Sequence, residues 1–179
     1  IAFMGAVYRI VMLTVVPLFG FVQAMQPVIG INFGAGQYGR VREAFLKFTS
    51  GSALLMTIIW LPLILFPDKV IALILPDAQL GPAYTFHFRV MMALLPILPI
   101  YFCGISFYQS MGEGKLASIV LLSRQALLFV PVVLILPLYM GISGIYFTAP
   151  IVDIFLILIL SFLLANRLSR LNDMKPAAI

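Results

Sequence analysis

The chain has 179 residues, of which 63% are hydrophobic and only 9% charged, with a formal net charge of +5 and a mean hydropathy of +1.15. That composition excludes a water-soluble domain. The basic excess forms no stripe with interleaved aromatics, so no nucleic-acid partner is expected, and a lone cysteine, Cys103, excludes a disulfide or cysteine-metal framework within the chain.

The few charges lie almost entirely at the edges of long apolar runs. No Asp, Glu, Lys, Arg or His occurs between Ile10 and Gly39, Phe48 and Pro67, or Val90 and Gly112, and from Leu116 to Asn166 only Arg124 and Asp153 intervene. A hydrocarbon core ~30 Å thick needs ~20 mostly apolar residues per helix. The pattern predicts an all-α membrane protein, a bundle of five proline-kinked transmembrane helices at about 8–32, 46–67, 86–110, 117–138 and 143–166, with 167–179 as a cytoplasmic tail. The chain opens on Ile1 with no cleavable leader pattern, and is expected to lack its natural N-terminus.

In the first span, Gln23, Gln26 and Gly30 share one helical face, and Asn32 lies just beyond. Amides in hydrocarbon need partners, so this face points at other helices or at a water-filled cavity. Gly34-Ala35-Gly36-Gln37-Tyr38-Gly39 matches G-x-G-x-x-G. The dinucleotide reading needs a strand before it and an acid about 20 residues on. An apolar helix precedes it instead, and the region about 20 residues on is uncharged, so the glycines are expected to end the span in a tight loop. Gly30 and Gly34 also form G-x-x-x-G, a weak signal for close helix approach.

The Phe66–Ala83 connection contains Val70, Ile71, Leu73, Ile74 and Leu75, too apolar for free solvation and too short between Pro67 and Pro76 to span. A short helix at the outer interface is predicted. His87 and Arg89 sit where the third span enters, and His87 is read as interfacial. The fourth span carries Ser123-Arg124-Gln125, with Arg124 ~10 Å inside at 1.5 Å per residue. Asp153 lies about ten residues into the fifth span, within ~5 Å of Arg124 in depth on a ~30 Å core. The short turn near Leu138–Ser143 makes the two spans antiparallel neighbours, so an Arg124–Asp153 ion pair is allowed. Each charge alone would cost ~2.5–3.5 kcal/mol in the membrane. Either the pair locks the two spans together, or Asp153 titrates during transport.

Each span contains proline: Pro17 and Pro27, Pro62, Pro96 and Pro99, Pro131, and Pro150. Such helices bend around a cavity in transporters, although membrane helices are rich in proline generally. For orientation, Arg40, Arg42, Lys47, Lys115, Arg167, Arg170 and Lys175 fall on one side and Arg9, Lys69 and Arg89 on the other, seven against three. The C-terminus is therefore expected in the cytoplasm. Enzyme motifs are missing: with His87 alone the paired-histidine zinc motif cannot form, and no G-x-S-x-G elbow occurs.

An ordered set of short motifs extends over nearly the whole chain. It runs Gln26-Pro27, Asn32-Phe33-Gly34-Ala35 with Arg40-Val41, and Phe66-Pro67-Asp68-Lys69-Val70-Ile71 before Pro76-Asp77. It continues with Phe107-Tyr108-Gln109-Ser110-Met111-Gly112, Ser123-Arg124-Gln125 with Pro131, Leu136-Pro137, Gly141 with Gly144, and Pro150 with Asp153. In this set the chain resembles the multidrug and toxic compound extrusion (MATE) transporters, particularly their MepA-like branch. The resemblance implies two six-helix lobes facing each other in a V, with this chain as helices eight to twelve, most of the C-terminal lobe.

It further implies a secondary antiporter of the bacterial cytoplasmic membrane. Such a protein exports cationic or amphipathic organic compounds in exchange for protons or sodium, by rocking of the lobes and without a bound cofactor. The N-terminal lobe of the same protein would be a partner. Cavity-lining candidates are Gln23, Gln26, Asn32, Tyr101, Tyr108 and Gln125, with Arg124 and Asp153 as ion pair or coupling group. Met91, Met92, Phe102 and Phe107 would suit flat lipophilic cations or simply pack. One branch of the family carries an acid on its tenth helix, and none occurs here between Val90 and Gly112. A flippase for lipid-linked sugars of related architecture would want several deep cationic groups, where only Arg124 is deep. A non-transporting membrane assembly subunit would not need the prolines or the ordered motifs.

Overall fold

An apolar stretch in lipid has no partner for its backbone but itself, so it folds as helix. The computed structural model describes residues 2–75 and 81–173, and each regular element in them is helical. In chain order these are α1 (Ala2–Gly34), α2 (Tyr38–Leu65), α3 (Pro67–Ala72), α4 (Pro82–Met92), α5 (Leu98–Ser110) and α6 (Gly114–Leu122). A π-helical stretch (Ser123–Phe129) then leads into α7 (Val130–Met140), and α8 (Ser143–Asp173) follows. Among them four continuous passes are long and apolar enough to cross a membrane: Phe3–Gly34, Tyr38–Leu65, Gly114–Met140 and Ser143–Leu171. The chain is an all-α membrane protein.

The stretch expected as the third span is not one helix. It is α4 and α5 in succession, joined by tight turns over residues 93–97. Pro96 and Pro99 each remove an N–H donor and crowd the carbonyl four residues back. Leu95, Ile97 and Ile100 bond three residues back instead, to Met92, Leu94 and Ile97, at 3.2, 3.0 and 3.0 Å. Elsewhere proline is absorbed without ending the helix, at Pro17 and Pro27 in α1, Pro62 in α2, Pro137 in α7 and Pro150 in α8.

The Gly114–Met140 pass solves its proline differently. Pro131 has no N–H to give, and the turn before it widens: the Val130 N–H bonds the Gln125 carbonyl, five residues back. This π-helical turn inserts an extra residue and re-aims the side chains on it. Arg124 and Gln125 are two of those side chains.

The short helix expected in the Phe66–Ala83 connection is α3. Thr85 Oγ1 donates to Asp68 Oδ1 at 2.6 Å, and Arg89 Nε donates to the Ile64 carbonyl at 3.2 Å, tying α2, α3 and α4 together at this end. Pro76 and Asp77 of the same connection, and Lys175 with the rest of the tail beyond 173, lie outside the described residues.

The G-x-G-x-x-G stretch is the α1–α2 turn. Gly36 adopts φ 69°, a left-handed conformation that favours glycine, while the Gln37 N–H bonds the Asn32 carbonyl at 2.9 Å. This closes a helix end and leaves no phosphate cradle.

α5 lies at the centre, packed against α1, α2, α6 and α8. Residues 103–108 are buried without interruption, so no face of α5 is left for solvent or lipid there. Phe107 meets Phe45 of α2 with ring centroids 4.8 Å apart. A Cβ on Gly104 would sit 2.8 Å from Leu160 Cδ2 of α8, and one on Gly30 of α1 would sit 3.5 Å from the Ser110 carbonyl oxygen. Small residues let the neighbouring helices pack closely here, as packing without a hydrophobic drive requires. The α6–α7 pass stands outermost, with Leu122, Leu127, Leu134 and Leu138 exposed.

Candidate functional site

Arg124 and Asp153 are paired. Arg124 Nη2 donates to Asp153 Oδ1 at 2.8 Å and Arg124 Nε donates to the same oxygen at 3.1 Å. The widened turn before Pro131 presents the guanidinium, and α8 presents the carboxylate three residues after Pro150. The arginine side chain is 31% exposed and the aspartate 13%, so the pair is partly shielded. A low dielectric strengthens their attraction, and the apolar surroundings penalise either charge alone.

The pair forms the polar end of a cavity of about 480 Å³. Tyr101 of α5 stands beside it, with the Arg124 guanidinium carbon 5.7 Å from the ring centroid. That is cation–π range. Tyr101 is buried, and its hydroxyl has no hydrogen-bond partner among the described residues. Gln125 also lines the cavity.

The other walls are apolar and aromatic. Tyr8, Met12, Val15 and Phe19 of α1 line one side, and Phe102 and Phe129 close in from α5 and the π-helical stretch. Phe19 and Phe102 meet edge-to-face at 5.4 Å between centroids. A concave, mostly apolar volume with a few convergent polar groups is the usual form of a small-molecule site.

Of the candidates named from sequence, the fold brings together Tyr101, Gln125, Arg124 and Asp153. It does not bring Gln23, Gln26, Asn32 or Tyr108 to this cavity. Gln23 and Gln26 follow Phe19 by one and two turns, ~6 and ~10 Å further along α1 at 1.5 Å per residue, and Gln23 is exposed. The Asn32 amide donates to its own helix, to the Val28 carbonyl at 2.7 Å. Tyr108 is seven residues beyond Tyr101 and buried against Phe107, with ring centroids 5.7 Å apart. His87 stacks on Tyr146 of α8 with centroids 4.5 Å apart, and it does not line the cavity.

Sequence reading missed Tyr8, Met12, Phe19 and Phe129. The signal was there for the α1 wall, since residues 8, 12, 15 and 19 recur at helical spacing, three of them with aromatic or thioether ends. A second ion pair was also missed. Arg167 of α8 bonds Glu113 in the α5–α6 turn, joining two elements at the end opposite α3. Among the described residues no three His, Cys, Asp or Glu side chains come together as a metal site.

Known proteins are similar to this chain in sequence and in fold. The MatE family model matches residues 1–135. The multidrug export protein MepA of Staphylococcus haemolyticus (strain JCSC1435) is 24% identical over 172 residues, covering 94% of this chain and 38% of MepA. The MepA of Staphylococcus aureus (strain N315) is 23% identical over 153 residues, covering 86% of this chain and 34% of that protein. The chain thus spans little more than a third of the length of these relatives. Among solved structures, the MATE multidrug transporter DinF-BH superposes with a TM-score of 0.81 at 32% identity, over 91% of this chain and 36% of that one. A MATE in the bent conformation superposes with a TM-score of 0.87 at 21% identity, over 96% of this chain and 38% of that one, a likeness of fold. With the family model covering most of its length and the fold shared with MATE transporters, the chain belongs to the MatE family.

Proposed function

We propose that this chain is the greater part of the C-terminal lobe of a secondary antiporter. The antiporter exports cationic or amphipathic organic compounds across a bacterial cytoplasmic membrane in exchange for protons or sodium, by rocking of two lobes. The observation that carries the reading is the cavity itself. Its walls are aromatic and thioether-rich, its volume is about 480 Å³, and a single ion pair supplies its polar end. Soft, flat walls hold a lipophilic body, and a local charge pair orients its polar group.

The partial coverage of longer relatives supports a missing N-terminal lobe, and their names support multidrug export. A flippase handling a pyrophosphate would need several free cationic groups facing the cavity. Among the described residues Arg124 is the one cationic group lining it, and Asp153 already engages it.

The test is an efflux assay with the full-length protein in everted vesicles, using a fluorescent organic cation and imposed proton or sodium gradients. Gradient-driven dye uptake is expected, and its dependence on one gradient identifies the coupling ion. Filling the cavity with Phe102→Trp should lower uptake several-fold at unchanged protein level. Uptake that ignores both gradients would refute antiport.

A further inference from the structure

The polar end of the cavity is electrically balanced, and it is incompletely bonded. Both Arg124 bonds go to one oxygen of Asp153. A guanidinium carries five N–H donors and a carboxylate two acceptor oxygens. Among the described residues, Arg124 Nη1 and Asp153 Oδ2 therefore have no protein partner. Two groups with bonding capacity to spare thus meet at one place: a cationic donor edge and an anionic acceptor.

A ligand with a single net charge suits this end poorly. A cation could bond Asp153 Oδ2, yet the pair's own charges already cancel, so one positive charge would remain uncompensated in a low-dielectric setting. A lone anion on Arg124 leaves the mirror-image excess. A ligand carrying both signs close together leaves none. Its carboxylate takes the Arg124 Nη1 edge, and its ammonium takes Asp153 Oδ2. The four charges then alternate in sign around one ring.

We propose that the Arg124–Asp153 end of the cavity binds the head of a compact zwitterion, an ammonium and a carboxylate on one short carbon unit. Its aromatic body lies between Tyr8, Phe19, Phe102 and Phe129. This rests on the reading that the cavity holds a cationic or amphipathic organic compound, and within that class it ranks the zwitterion above the simple cation. The two charges of the ligand must stand close together, because the groups that receive them belong to one ion pair with a 2.8 Å contact.

The test uses three dyes with one fluorescent body and different heads, binding to the full-length protein in nanodiscs. Nε-dansyl-lysine carries the zwitterion, its methyl ester the cation, and its Nα-acetyl derivative the anion. Dansyl emission reports entry into the apolar cavity. Dansyl-lysine is expected to bind about tenfold or more tighter than either derivative, the scale of charge-assisted hydrogen bonds. The double variant Arg124→Gln/Asp153→Asn leaves no unpaired charge behind, and it should bind all three dyes alike.

Equal affinities in the unaltered protein, or a zwitterion preference that survives the double variant, would overturn the proposal while leaving the cavity reading intact. Saturable binding of none of the three would overturn both. Should the double variant not fold, the ranking in the unaltered protein decides the matter.

Discussion

Arg124 and Asp153 could be foreseen as partners from depth and hairpin geometry alone. Two charges on antiparallel neighbours, at matching depths in the membrane, have few other ways to be satisfied. Their contact geometry was not legible, because it depends on a π-helical turn that hydropathy does not register. Removing one partner leaves the other charge in an apolar setting, so Asp153→Asn should destabilise the fold by about 2–3 kcal/mol. Arg124→Gln placed in the same chain should restore part of that loss. Thermal melting of detergent-purified protein measures both. Normal melting of Asp153→Asn, together with lost gradient-driven export, would instead make Asp153 the coupling group. The glutamines of α1 stand out in the sequence because amides in hydrocarbon are costly without partners. The side chains that build the α1 wall, Tyr8, Met12 and Phe19, look like ordinary lipid-facing residues until a neighbouring helix curls toward them.

At the scale of elements, the five apolar runs were readable because period and length survive any packing. The break at residues 93–97 was foreshadowed by Pro96 and Pro99, but a kink and a break have the same sequence signature, and neighbouring contacts decide between them. Close helix approach was less legible still. Gly30 was singled out within a G-x-x-x-G, and it does lie against α5. The tightest contact is at Gly144, where an added Cβ would lie 2.7 Å from the Leu136 carbonyl carbon and 2.8 Å from Pro137 N. Those atoms are backbone, so α7 and α8 would have to separate. At Gly104 the nearest atoms are the flexible ends of Leu160 and Leu164, at 2.8 and 2.9 Å, and these can rotate. Gly144→Ala should therefore lower stability by about 2–3 kcal/mol and Gly104→Ala by about 1 kcal/mol, within the usual range for overpacking. Gly20→Ala meets nothing within 4 Å and serves as the neutral control. Melting temperatures ordered otherwise would mean that the α7–α8 hairpin yields more easily than its backbone contact implies.

At the scale of the whole molecule, the ends of the helices sort into two groups that the positive-inside rule can orient. The α1–α2 turn, the α5–α6 turn and the end of α8 belong together. Gly30 approaches the Ser110 carbonyl near the ends of α1 and α5, and Arg167 reaches Glu113. This end carries Arg40, Arg42, Lys47, Lys115, Arg167 and Arg170 among the described residues. The opposite end holds the start of α1, α3, the start of α4 and the α7–α8 turn, with Arg9, Lys69 and Arg89. Basic residues in short connections are retained in the cytoplasm, so the first group should face inward and the Gly141–Ser143 turn outward. Cysteine accessibility tests this directly. The single Cys103 is buried in α5 and can be replaced by Ala to give a silent background. A cysteine at Gln37, exposed in the α1–α2 turn, should then react with a membrane-impermeant maleimide only after the membrane is opened. A cysteine at Ser143 should react in intact cells. Labelling in the reverse pattern would invert the orientation and place the Arg167–Glu113 pair on the outer face.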